Sequence, residues 1–121
     1  MRKIVKPART FGTKPHSSPP STLQSLQKEI FSSKIKESAE WINLLNSETR
    51  LQLLLVLWKK DSLCVGDLAD VVRLNISAVS HQLRLLKDYN LVSAKRKKKV
   101  VYYSLARGLP GLINHVLQEA G

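Results

Sequence analysis

A chain of 121 residues carrying 20 Lys+Arg against 9 Asp+Glu has a formal charge of +11 and is just large enough to bury a single small core. Its single cysteine rules out an intrachain disulfide and suits a reducing cytoplasm, and no apolar run approaches the roughly 20 residues that cross a bilayer. The charge is concentrated in residues 1–20 and 84–107 around a neutral middle, which points to a polyanionic partner, nucleic acid before membrane.

The first block, "MRKIVKPARTFGTKPHSSPP", contains Pro7, Pro15, Pro19 and Pro20 and no acid. Those prolines break the amphipathic helix that a transit peptide needs, so residues 1–20 read as a disordered basic tail ahead of a domain spanning 21–121. "STLQSLQKEI" and "KIKESAEWINLL" place Leu23, Leu26, Ile30, Ile35, Ala39, Ile42 and Leu45 at helical spacing and predict one bent helix or two short ones. Ser47 is an N-cap for "ETRLQLLLVLWKK", with Glu48 at the start and Lys59 and Lys60 at the end, as the helix dipole favours. That segment is apolar nearly all round and reads as a buried central helix.

"VGDLADVV" predicts a short helix with Leu68, Val71 and Val72 turned inward. "RLN" makes a tight turn, and Asn75 can cap the next helix, "ISAVSHQLRLLKDY". Two β-like runs follow, "LVSAKR" and "KVVYYSLA", joined at Lys97-Lys98. Val101, Tyr103 and Leu105 form one face of the second run, the expected inner one, and Val100, Tyr102 and Ser104 the other. Residues 109–120, "LPGLINHVLQEA", predict a last helix with Pro110 in its first turn and a stripe of Leu109, Leu112, Ile113, Val116 and Ala120. The fold class is mainly α with a small β-hairpin, in the order of a winged helix-turn-helix.

Two helices around a short turn suggest that the second enters a DNA major groove. At about 100° per residue, Ala78, Val79, Gln82, Leu83, Leu85 and Leu86 fall on one side of it, and Ser77, Ser80, His81, Arg84 and Asp88 on the other. Small hydroxyls and an imidazole allow close approach to base edges, while Arg84 can reach a phosphate. An ordinary solvated face would look the same. The hairpin separates the two readings, because five cations in a row, Lys95, Arg96, Lys97, Lys98 and Lys99, run through its turn. A localisation signal or a loose charge cluster seldom interrupts a strand pattern, whereas a wing lying along a DNA backbone needs such a run. The candidate DNA-binding residues are therefore Ser77, Ser80, His81, Arg84 and residues 95–99, and the partner is double-stranded DNA. With no Gly-rich phosphate loop and no nucleophile–base pair, the chain is not expected to be an enzyme or to hold a cofactor; a winged-helix protein-interaction module is the alternative from another class.

The stretches "LCVGDLADVV" (63–72), "SAVSHQLRLLKDYNLVSAKR" (77–96) and "VYYSLA" (101–106), with a looser match at "ETRLQLL" (48–54), resemble the ArsR/SmtB family of winged-helix transcriptional repressors. The resemblance covers roughly residues 40–106. It implies a homodimer built on the first and last helices, groove contacts at Ser77, Ser80 and His81, and a wing tip at residues 97–99. It also draws attention to metal sensing. Cys64 is present at one family site, but Gly66 stands where a second cysteine would be. At the other site, on the last helix, Arg107, Leu109 and Ala120 occupy ligand positions, so no metal site is expected; His115 and Glu119 alone are two ligands, where zinc wants three or four. Such a member could have lost effector control and act as an autoregulator or a competitor at a shared site. Cys64 is a candidate redox residue, weighed against a small buried side chain inherited from a metal-sensing relative. Relatives place Gly where Lys98 stands, and a two-residue turn asks for positive φ there.

Overall fold

The computed structural model describes residues 17–121, so most of the expected basic tail lies outside the described residues. The chain divides into two units, Met1–Ser38 and Ala39–Gly121. In the first unit, Pro20 opens helix α1 (Pro20–Ile30), a position where a missing N–H costs no hydrogen bond. Leu23, Leu26 and Ile30 recur along one side of α1, yet every residue of this helix is exposed. Phe31 and Ser32 separate it from α2 (Ser33–Leu45), so the segment is two helices and not one bent one.

The second unit is built around α3 (Glu48–Lys59). Ser47 caps it: its side-chain oxygen accepts the Arg50 N–H at 3.3 Å. Leu53, Leu54 and Leu57 of α3 are buried with Leu44 and Leu45 from the end of α2, so α3 is central, but it is not buried all round: Leu51, Leu55 and Val56 are partly buried and Trp58 is exposed. Strand β1 (Leu63–Cys64) follows; two residues carry no readable alternation, and the sequence gives no sign of it. Next comes α4 (Val65–Val72). Here the expected inward set needs correction. Leu68 and Ala69 are buried and Val72 is partly covered, whereas Val71 is 55% exposed. Packing centred between Leu68, Ala69 and Val72 leaves Val71 about 110° round the helix axis.

Helix α5 (Ile76–Asp88) leads into a hairpin of β2 (Val92–Lys97) and β3 (Val100–Leu105). The sheet has three antiparallel strands in the order β1-β3-β2. Leu63 pairs with Tyr103 and Cys64 with Tyr102, so β1 closes the far edge of β3. Tyr103 and Leu105 pack on the core as expected of β3, but Val101 does not join it, and of the set expected outward only Val100 is exposed while Tyr102 and Ser104 are half-buried. Lys97 lies opposite Val100, which makes Lys98-Lys99 the turn, one residue later than expected. Register explains the shift. Buried Val92 pairs with Leu105 and half-buried Ala94 with Tyr103, and a slip of one residue would turn these side chains to solvent.

The chain ends in α6 (Gly111–Ala120), with Pro110 as its N-cap. Ile113 and Leu117 are its buried residues, and α6 packs on α3. The stripe expected from sequence is thus shifted. Leu117 belongs to it, Leu112 lies about 100° round from Ile113 and is exposed, and Ala120 is exposed at the helix end. Among the described residues no helix is long and apolar enough to cross a membrane.

Candidate nucleic-acid interface

The α4–α5 pair owes its geometry to one backbone conformation. Arg73 takes φ 62 and ψ 42, and its N–H returns to the Ala69 carbonyl, which ends α4. The Leu74 N–H bonds the same carbonyl at 3.1 Å. Asn75 then opens α5, its side-chain oxygen accepting the Ala78 N–H at 2.8 Å. The expected cap is therefore the observed one.

Once α5 is placed, three residues decide its rotation. Val79, Leu83 and Leu86 are buried in the core. Ser77, His81 and Arg84 are exposed on the other side, and Ser80 is half-buried at its margin. Ala78, Gln82 and Leu85 are half-buried rather than fully inside, and Gln82 has a polar partner there, described below.

Helix α5 ends on Asn90, whose φ of 61 suits a residue type that tolerates the left-handed region. The Asn90 N–H bonds the Lys87 carbonyl at 2.9 Å and the Leu91 N–H bonds Leu86 at 2.9 Å. This ending leaves Leu91 and Val92 buried and starts β2 within four residues of the last turn of α5. Helix α5 packs directly on β2. Residues 95–99 are all exposed, so the densest charge in the chain lies on the free half of the hairpin whose other half is core. The Lys97 ammonium stands 5.9 Å from the centre of the Tyr102 ring, a cation–π contact that steadies the strand end. Lys98, at φ 60, takes the left-handed conformation of the turn.

The other sequence candidates fall elsewhere. Cys64 is half-buried at the N-cap of α4, and its thiol makes no capping hydrogen bond. His115 and Glu119 are exposed on α6. Among the described residues no group of three or more His, Cys, Asp or Glu is placed to hold a metal ion.

Two residues of interest are missed from sequence. Ile76, the first residue of α5, is 54% exposed and lies about 40° round the helix from Ser80. A helical wheel that includes the first residue reveals it. Arg50 is the other. Its Nε donates to Gln82 Oε1 at 2.9 Å and its Nη1 donates to the Leu44 carbonyl at 2.9 Å. No local pattern announces this, because Gln82 is 32 residues away.

Comparisons with known proteins bear on the family and the fold. A family model described as bacterial regulatory protein, arsR family, matches residues 47–94, which run from the cap of α3 into β2. A transcriptional repressor SmtB homolog from Synechocystis sp. is 38% identical over 96 residues, covering 78% of this chain and 67% of its own length. A cadmium resistance transcriptional regulatory protein CadC homolog from Staphylococcus aureus is 32% identical, with 65% of each chain covered. The chain thus spans about two thirds of the length of these two relatives. Among solved structures, the AntR antimony-specific transcriptional repressor superposes with a TM-score of 0.66 at 30% identity, covering 88% of this chain and 91% of that one. The transcriptional repressor BigR from Xylella fastidiosa shares the fold, with a TM-score of 0.67 at 24% identity over 76% of this chain and 91% of its own.

Proposed function

The chain belongs to the ArsR family of bacterial regulatory proteins, a family of DNA-binding transcriptional repressors and not of enzymes, and from that premise we propose that it is a cytoplasmic, homodimeric repressor whose α5 reads an inverted-repeat operator while the β2–β3 hairpin holds the flanking backbone. One observation carries the reading. A helix whose outer face offers Ser77, His81 and Arg84 is followed directly by a hairpin that exposes five consecutive cations.

The roles divide by chemistry. Ser77, Ser80 and His81 are short enough to meet base edges, and Ile76 presents apolar surface of the kind that meets a thymine methyl group. Arg84, Lys95, Arg96, Lys97, Lys98 and Lys99 neutralise phosphates and fix the docking register without reading sequence. Apolar surface supports the dimer. Leu23, Leu26 and Ile30 of α1 are exposed. In the second unit, Ile42 and Leu112 are exposed along a groove of about 480 Å³ that Ala39, Leu45, Leu51 and Val116 also line. Covering such surfaces with a second copy removes them from water. Two copies would then place their α5 helices about 34–36 Å apart, one turn of DNA.

Selection from a randomised duplex pool tests the reading. The protein should enrich an inverted repeat. Its affinity for that repeat should fall roughly 10³–10⁵-fold between 50 and 200 mM salt if about six to ten phosphates are neutralised. Enrichment of no sequence, or an affinity indifferent to salt, would refute it.

A further inference from the structure

Arg50 sits in the first turn of α3, away from the exposed face of α5, and its guanidinium is bonded at both ends. One N–H reaches Gln82 in the middle of α5 and another reaches the carbonyl of Leu44 in the last turn of α2, each at 2.9 Å. Leu44 carries one of the carbonyls that the end of a helix leaves without an intrahelical partner, so Arg50 satisfies it while gripping α5. The bond to Gln82 is the one hydrogen bond between two side chains among the described residues. A second tie runs parallel to it. Trp41 of α2 meets Tyr89, just past the end of α5, edge to face at 5.9 Å between ring centres. Gln82 and Tyr89 are about 10 Å apart along the axis of α5.

Apolar packing by Val79, Leu83 and Leu86 keeps α5 on the core, but packing is non-directional and tolerates small rotations of the helix about its own axis. A hydrogen bond does not, because it weakens steeply once its angle is lost. We propose that Arg50 is a positioning residue for operator reading: by joining the end of α2 to Gln82 it sets the rotation of α5, and with it the angle at which Ser77, Ser80 and His81 meet the bases. The proposal rests on α5 being the reading helix. It makes the end of α2 a lever on DNA affinity, since any displacement of Leu44 reaches α5 through one planar group.

The chemistry fixes the test. Arginine presents its donors in a rigid fork, and the point charge of a lysine cannot span two acceptors in the same way. The probes are a duplex enriched from a random pool by the wild-type protein and a scrambled duplex of the same composition. Affinities for both, and thermal melts, are measured for Arg50→Ala, Arg50→Lys, Gln82→Ala and the double variant Arg50→Ala/Gln82→Ala, below each variant's melting range. Arg50→Ala and Gln82→Ala should each weaken binding to the enriched duplex about tenfold. Binding to the scrambled duplex should change less than about twofold, well under that tenfold loss. The double variant should bind no worse than Arg50→Ala, and Arg50→Lys should behave like Arg50→Ala.

Additive losses, full rescue by lysine, equal losses on both duplexes, or melts that fall while both affinities hold would each overturn the positioning role. A wild-type protein that enriches no duplex would overturn the assignment of α5 itself, and this proposal with it.

Discussion

Replacing Lys98 tests the wing, because two effects of one residue pull in opposite directions. Lys98 is held at φ 60 in the hairpin turn, where a side chain with a Cβ costs about 1 kcal/mol. Lys98→Gly removes that strain but frees the unfolded chain, which returns about 0.5 kcal/mol or more. The net gain in stability is then at most about 0.5 kcal/mol, a rise of roughly 2–4 °C in Tm for a domain of this size. The same change deletes one exposed cation from the tip. If Lys98 neutralises one phosphate, the slope of log affinity against log salt falls by about 0.9. Lys98→Ala separates the two effects, since it removes the charge and keeps the strain. The measurements are thermal melts and DNA titrations by fluorescence anisotropy between 50 and 200 mM salt, the range over which such slopes are read. Both variants should show the smaller slope and weaker binding, and only Lys98→Gly should melt higher. Tighter binding by Lys98→Gly, or an unchanged slope in both, would refute the reasoning that the lysine is kept at a strained position for contact with phosphate.

Base reading and backbone holding should come apart on mutation. Ser80→Ala or His81→Ala should erase preference for the enriched operator and leave random-sequence binding in place, while Lys97→Ala should weaken all duplexes together, as paired gel shifts will show. Replacing operator thymines one at a time with deoxyuridine, which lacks the methyl group, should weaken wild-type binding at one half-site position and leave Ile76→Ala indifferent there. Asn75→Ala removes the acceptor for the Ala78 N–H and should lower unfolding free energy by about 1 kcal/mol in urea titrations. If α1 takes part in the proposed dimer, Leu26→Asp, on the exposed apolar side of α1, should give a monomer in sedimentation experiments while helix content holds; an unchanged sedimentation coefficient would remove α1 from the interface.

Much of this protein is written locally. Ser47 and Asn75 cap α3 and α5 as their residue types demand, because the capping bond closes within three residues. The outward set Ser77, His81 and Arg84 follows from helical period alone, and the charge run at 95–99 is visible without a fold. Other features needed the folded chain. Strand β1 exists only because β3 offers it an edge, and two residues carry no period of their own. The turn falls at Lys98-Lys99, and not one residue earlier, because Val92 and Ala94 must face the core opposite Leu105 and Tyr103. Val71 points outward and Leu117 inward because the centre of each helix's contact, and not its composition, decides which side is covered. The bond from Arg50 to Gln82 joins residues 32 positions apart. Sequence sets preferences over a few residues, so it determined the caps, the outward face of α5 and the charge. Contacts between distant segments set register, rotation and the tie on α5, and those were decided only when the chain closed on itself.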